Sequence, residues 1–203
     1  RPVLTFPSWA AALPALERIV ATAGIARYAS AGRLAVPIVF RAPSGPMEQN
    51  GPQASMSLAS WLAHVPGLKV VAPCSPGDGK GLLSAAIRDP DPVLILEHEA
   101  LYDLEGPVPQ GDAVIPLGRS RVVRAGVQAT LVGYSRSVAR ALEAADRLAR
   151  EGVSVEVIDL TSLRPLDLDT VLASVRKTGR IVTIEEGWPV CSIGSEIVSR
   201  VVC

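Results

Sequence analysis

The chain has no net charge to offer a polyanion: twenty Lys and Arg are matched by twenty Asp and Glu over 203 residues. The basic residues nowhere gather into a face that would hold phosphates, which argues against nucleic acid as a partner. Long apolar runs are also missing. Val93 to Leu96 and Val153 to Ile158 are cut by charged or turn residues, well short of the roughly 20 residues needed to cross a bilayer, so no membrane span is expected. Cysteine is scarce and odd in number: Cys74, Cys191 and Cys203 lie far apart and in no metal-ligand spacing. That pattern fits unpaired thiols in a reducing compartment. Histidine is scarcer still, with His64 and His98 alone. No starting Met and no targeting segment is present, Arg1-Pro2 opening the chain and Val202-Cys203 closing it within an amphipathic pattern. The expectation is therefore a piece of a longer protein.

What is present is a large apolar fraction, 48% of residues, enough for one large core or two modest ones. Apolar residues recur at helical spacing from Ser8 to about Ser30, with Pro14 placing the clean helix start at Leu13 or Pro14. Val36 to Phe40 reads as a buried strand. Arg41 to Gln53, with three prolines and two glycines, reads as an exposed loop. Then come a short helix at Leu58 to His64, a strand at Leu68 to Val71, a helix at Asp78 to Arg88 with Asp78 able to cap it, and a strand at Val93 to Leu96. Periodicity lapses between Tyr102 and Pro116, giving a division into residues 1–102, a linker at 103–116 and residues 117–203. The second part alternates again: an edge-type strand at Arg121 to Val123, a strand at Thr130 to Tyr134, an amphipathic helix at Ser137 to Glu151 stopped by Gly152, and a strand at Val153 to Ile158. It continues with a helix at Asp167 to Lys177, a strand at Arg180 to Ile184 and a helix from Ser195. Such alternation implies α/β architecture with parallel sheets and right-handed crossovers.

The phrases Pro66-Gly67-Leu68-Lys69-Val70-Val71-Ala72-Pro73, Ala85-Ala86-Ile87-Arg88-Asp89-Pro90-Asp91-Pro92 and Asp159-Leu160-Thr161-Ser162-Leu163-Arg164-Pro165 are specific enough to carry a family signal. Together with Glu185-Glu186-Gly187-Trp188-Pro189, they resemble the beta subunit of the pyruvate dehydrogenase first component, a thiamine-diphosphate enzyme of the transketolase-like class. The resemblance runs along the whole chain. It implies the latter part of a pyrimidine-binding parallel-sheet domain followed by a transketolase C-terminal-like domain, each an α/β unit. It also implies an alpha-two beta-two assembly that shares thiamine diphosphate with magnesium, the alpha subunit holding the cofactor diphosphate and the beta subunit its pyrimidine ring, and a dihydrolipoyl acetyltransferase core as acceptor of the acetyl group. The place implied is the mitochondrial matrix or the bacterial cytoplasm. A noncatalytic relative and a sibling acting on branched-chain 2-oxo acids or acetoin are the rival readings.

Several positions depart from the family pattern. Counted back from Pro66-Gly67-Leu68, the active-site histidine falls on Ala54, whose side chain can neither donate nor accept. Pro7, Ala11 and Pro14 stand where the family lines the cofactor pyrimidine with Met, Phe and Gln. One binding set survives: the resemblance implies a potassium ion at Ile38, Ala86, Ile87, Asp89 and Asp91, where a helix end presents free carbonyls beside a carboxylate. His64 and His98 fall outside the family's catalytic positions. His64 reads as a helix-terminal imidazole and His98 as the residue after a buried strand, the end at which open α/β sheets bind ligands. Glu97, Glu99, Glu185 and Glu186 read as solvated or interface charges.

Overall fold

A computed structural model describes residues 1–46 and 51–203, the side chains at 53 and 54 excepted. Near the start, β1 (Val3–Thr5) leads to a helical stretch that tightens at Leu13–Ala15 and widens at Arg18–Ala23 before α1 (Gly24–Ala29). Pro14 lies in the first turn of that stretch, where a missing N–H costs nothing. Next come β2 (Val39–Pro43), the four-residue α2 (Gly51–Ala54), α3 (Ala59–His64), β3 (Lys69–Val71), α4 (Pro76–Arg88) and β4 (Val93–Glu97). The expected strand over Val36 to Phe40 thus begins later, and the expected loop is strand up to Pro43 and helix at its end. Among the described residues no helix is long and apolar enough to cross a membrane.

The second half holds β5 (Arg121–Arg124), β6 (Ala129–Gly133), α5 (Arg136–Arg150), β7 (Val155–Asp159), β8 (Ser162–Arg164), α6 (Leu168–Thr178), β9 (Ile181–Ile184) and α7 (Ile193–Val202). Its sheet runs β5-β7-β6-β9, parallel apart from the antiparallel edge strand β5. The first sheet runs β1-β2-β4-β3-β8. Its first four strands are parallel, and the central ones read as unbroken apolar runs because helices cover both faces. The fifth, β8, comes from beyond the linker and pairs antiparallel with β3, Val70 opposite Arg164 and Val71 opposite Ser162. The main core is likewise shared, joining Leu94 and Leu96 of the first half to Val132, Ile158, Leu160 and Ile197 of the second.

Two local features depart from expectation. Ser75, rather than Asp78, caps α4: its Oγ accepts from the Asp78 N–H at 3.2 Å and donates to Asp78 Oδ2 at 2.7 Å. Residues 103–116 carry no strand or helix, yet they are strapped along α4. Lys80 Nζ donates to the Pro109 carbonyl at 2.7 Å, Arg88 pairs with Asp112 at 2.5 Å, and the Ile115 N–H donates to the Gly81 carbonyl at 3.2 Å. A Cβ on Gly81 would come within 2.6 Å of the Ile115 side chain, so glycine there lets the strap lie flat.

One turn is tighter still. Gly67, at φ +83°, enters β3 beneath the start of α1, and a Cβ on it would stand 1.9 Å from the Gly24 carbonyl oxygen. Only glycine satisfies both the left-handed backbone and the approach.

The halves also meet through charge. Arg121 on the edge strand β5 donates to Asp78 Oδ2 at 2.6 Å and to Asp159 Oδ2 at 2.9 Å, while the Cys74 thiol lies 3.3 Å from both of those oxygens. Burial pushes the Asp159 carboxyl up to about 6 against the pull of Arg121. Burial, with the two carboxylates beside it, also pushes the Cys74 thiol well above its ordinary range, so it is not a reactive thiolate.

Candidate functional site

The carboxyl ends of β2, β4 and β6 converge where the two sheets face each other, the position at which open α/β sheets form ligand crevices. His98, the residue after β4, is 4% exposed there. Its Nδ1 accepts the Ala100 N–H at 3.1 Å, which places the imidazole proton on Nε2. Nε2 stands 2.8 Å from Glu186 Oε2, off the direction of the ring N–H, so the contact is a close polar approach rather than an aligned hydrogen bond. Gly45, at φ +92°, passes against the ring: a Cβ there would lie 3.3 Å from His98 Nε2. Burial works to raise the Glu186 carboxyl, but the contact with His98 and the charges of Arg136 and Arg140 hold it below the usual range.

The rest of the crevice is tied in the same way. The Tyr134 hydroxyl donates to Glu185 Oε2 at 3.1 Å, and Glu185 Oε1 accepts the Gly194 N–H in the first turn of α7 at 2.7 Å. Burial and the neighbouring Glu185 push the Tyr134 phenol far up. The remaining space is about 20 Å³, room for little beyond a water. With Nδ1 accepting the Ala100 N–H and Nε2 carrying the ring proton, His98 has no lone pair left for a substrate proton. Chemically this is a locked joint between the halves, stronger in positioning than in proton transfer.

Behind it lies a larger cavity of about 350 Å³, lined by Arg41, Lys80, Leu83, Glu97, Leu101 and Tyr102 among others. Glu97 is engaged within it, accepting from Arg41 Nε at 2.7 Å and from the Tyr102 hydroxyl at 2.8 Å. Of the two expectations, solvated or interface charges, the solvated one does not hold for Glu97, Glu185 and Glu186, each of which has a fixed partner. Glu99 is exposed, as expected, and His64 is exposed at the end of α3.

The positions inferred from the family pattern do not come together as a site. Pro7, Ala11 and Pro14 are all exposed. They offer neither an aromatic face nor a side-chain donor, and the nearby rings of Phe6, Trp9 and Phe40 pack on one another at 6.3 and 6.5 Å between centroids. These three positions do not fit a pyrimidine ring. Ala54 ends α2, and its side chain lies outside the described residues. At the proposed potassium corner the carboxylates already have cations: Lys69 Nζ lies 2.7 Å from Asp89 and 3.2 Å from Asp91, and Arg27 lies 2.5 Å from Asp91. The Ile87 carbonyl accepts from Arg1 at 2.6 Å. The Asp89 and Asp91 side chains thus do not fit the ion, which leaves main-chain oxygens for it. Sequence reasoning missed Tyr134, Gly45 and Arg136 at the crevice. The polar run Ser135-Arg136-Ser137 directly after a buried strand was the one local signal for them.

Comparison with known proteins agrees with this architecture. The model "Transketolase, pyrimidine binding domain" matches residues 3–105, and "Transketolase, C-terminal domain" matches residues 118–203. The pyruvate dehydrogenase E1 component subunit beta of Rhizobium meliloti (strain 1021) is 47% identical over 202 residues, 99% of this chain and 44% of that protein. The mitochondrial subunit beta-2 of Oryza sativa subsp. japonica is 48% identical over 206 residues, 100% of this chain and 55% of the relative. The chain thus spans about half the length of these relatives. A solved structure described as a split gene transketolase, inactive beta4 tetramer, superposes with a TM-score of 0.79 at 26% identity, covering 97% of this chain and 61% of that one.

Proposed function

The chain belongs to the transketolase family through its pyrimidine-binding and C-terminal domains, and on that footing we propose that it serves as a beta-type subunit of the pyruvate dehydrogenase first component. The observation that carries this reading is 47–48% identity to such subunits over essentially the whole chain. The partners proposed are an alpha subunit in an alpha-two beta-two assembly and a dihydrolipoyl acetyltransferase core. The proposed location is the mitochondrial matrix or the bacterial cytoplasm, in keeping with relatives of both kinds. Thiamine diphosphate with magnesium, held by the alpha subunit, would supply the carbanion chemistry of decarboxylation. What this chain contributes is a rigid two-sheet frame, locked by His98, Glu186 and Tyr134. Because Pro7, Ala11 and Pro14 do not fit the pyrimidine, no chemical step is assigned to them.

A second reading, a noncatalytic relative that keeps the fold and its interfaces, is favoured by Ala54 at the histidine position and by those three substitutions. Mixing the chain with the alpha subunit and the acetyltransferase core separates the two. Co-elution with lipoyl acetylation, at saturating thiamine diphosphate and magnesium, supports the enzymatic reading. Co-elution without turnover supports the noncatalytic one, and failure to co-elute overturns both.

Potassium belongs to the same proposal, bound by main-chain oxygens around Ile38, Ala86 and Ile87. An ion that binds only the folded state raises its stability by mass action. Potassium in place of sodium, at equal ionic strength, is expected to raise Tm. Identical melting curves would leave the corner to Lys69 and Arg27 alone.

A further inference from the structure

His98 lines two spaces: the crevice, and the cavity of about 350 Å³ between the first sheet and α4. The second has the volume of a small-molecule site, about 300–1,000 Å³, and the proposed function assigns nothing to it. We propose that this cavity binds an organic monocarboxylate with an apolar body, its carboxylate seated on the terminal edge of the Arg41 guanidinium.

Open hydrogen-bonding capacity is the first argument. Alternate residues of a strand share a face, so Arg41 follows the buried Val39, and Glu97 follows Ile95, on the α4 side of the sheet. Both oxygens of Glu97 are engaged there, Oε1 by Arg41 Nε at 2.7 Å and Oε2 by the Tyr102 hydroxyl at 2.8 Å. Arg41 is thereby fixed without being filled. Among the described residues its two Nη groups make no hydrogen bond, and a guanidinium edge so held matches the two oxygens of a carboxylate. Lys80 likewise uses one of its three ammonium protons, on the Pro109 carbonyl at 2.7 Å.

Charge and shape are the second. Arg41 and Lys80 set against Glu97 leave the lining with one positive charge in excess, because His98 carries a single ring proton. One carboxylate brings it to neutrality. Much of the remaining wall is hydrocarbon, with Leu83 of α4 and the buried Ile95 on two sides and Leu101 and Leu104 on another. An apolar body is driven out of water onto such a wall, whereas a bare anion gains nothing from it. Tyr102 and Leu104 are 54% and 45% exposed, which leaves the mouth open to solvent.

The test uses the full chain with 3-phenylpropionate as the probe, followed by titration calorimetry. Binding is expected at one to one with a Kd below about 1 mM. Acetate, which has the charge without the body, and 3-phenylpropionamide, which has the body without the charge, should each bind at least about tenfold more weakly. Arg41→Gln should weaken binding of 3-phenylpropionate by a similar factor, and Lys80→Met by a smaller one. Gly79 lines the cavity, and nothing lies within 4 Å of its would-be Cβ. Gly79→Leu therefore fills part of the space with a residue that suits the helix better than glycine. It should also weaken binding at least about tenfold, with Tm undiminished, which carries the test if Arg41→Gln does not fold. No binding at about 1 mM, equal binding of the amide, or unchanged affinity in a folded Arg41→Gln or in Gly79→Leu would overturn the proposal.

Discussion

Gly67→Ala is expected to destabilise the chain strongly. Two costs coincide at this residue. The backbone is left-handed, at φ +83°, which costs a residue with a Cβ about 1–2 kcal/mol. The added methyl would also stand 1.9 Å from the Gly24 carbonyl oxygen. Neither atom is the free end of a flexible side chain, so α1 and the turn into β3 must separate, with an overpacking cost of about 1–3 kcal/mol or more. Together these come to about 2–5 kcal/mol, a large share of the stability of an ordinary domain, about 5–15 kcal/mol. Gly152 supplies the control: it too has positive φ, +80°, but nothing lies within 4 Å of its would-be Cβ. Gly152→Ala should therefore lose only the backbone cost. Urea unfolding of the two variants beside the parent checks this, and equal midpoints for both would show that the contact with Gly24 is unimportant.

Arg121→Met is expected to cost about 3 kcal/mol, the lower end of the penalty for removing one partner of a buried ion pair. The lower end applies because Arg121 is itself 42% exposed and partly screened. The loss comes from the partners left behind: Asp78 and Asp159 would face each other in the interior with no cation between them, and burial already pushes Asp159 up to about 6 with Arg121 in place, so one of the two must take up a proton. Adding Asp159→Asn to Arg121→Met removes the need for that proton and should recover a large part of the loss. A double mutant no more stable than Arg121→Met alone, in denaturant titrations, would contradict this account.

Where a feature is local, the sequence showed it. The stripe Val138, Leu142, Ala145 and Leu148 marks α5, Gly152 marks its end, and the apolar run from Val93 marks β4. Where a feature depends on a distant partner, nothing nearby announced it. Ser162-Leu163-Arg164 has no alternation of its own and becomes a strand because the edge of β3 is open beside it. Asp78 reads as a helix cap because its short-range neighbours permit that role, whereas its strongest contact comes from Arg121 across the junction. Glu186 reads as a surface charge because His98, which holds it, lies on another sheet. Ala54, Pro7, Ala11 and Pro14 are legible only as departures from a family pattern, and a departure shows what has gone without showing what stands in its place.

The antiparallel seat of β8 beside β3 also sets an order of events during synthesis. A ribosome that has delivered the first four strands of the first sheet has delivered a sheet whose β3 edge is still bare, with Val70 presenting its unpaired amide and carbonyl. The strand that covers this edge leaves the exit tunnel only after the linker, β5, β6, α5 and β7 have been made. Such long-range pairing slows folding and prolongs the life of an open edge. The nascent first half thus keeps an open strand edge until Arg164 arrives.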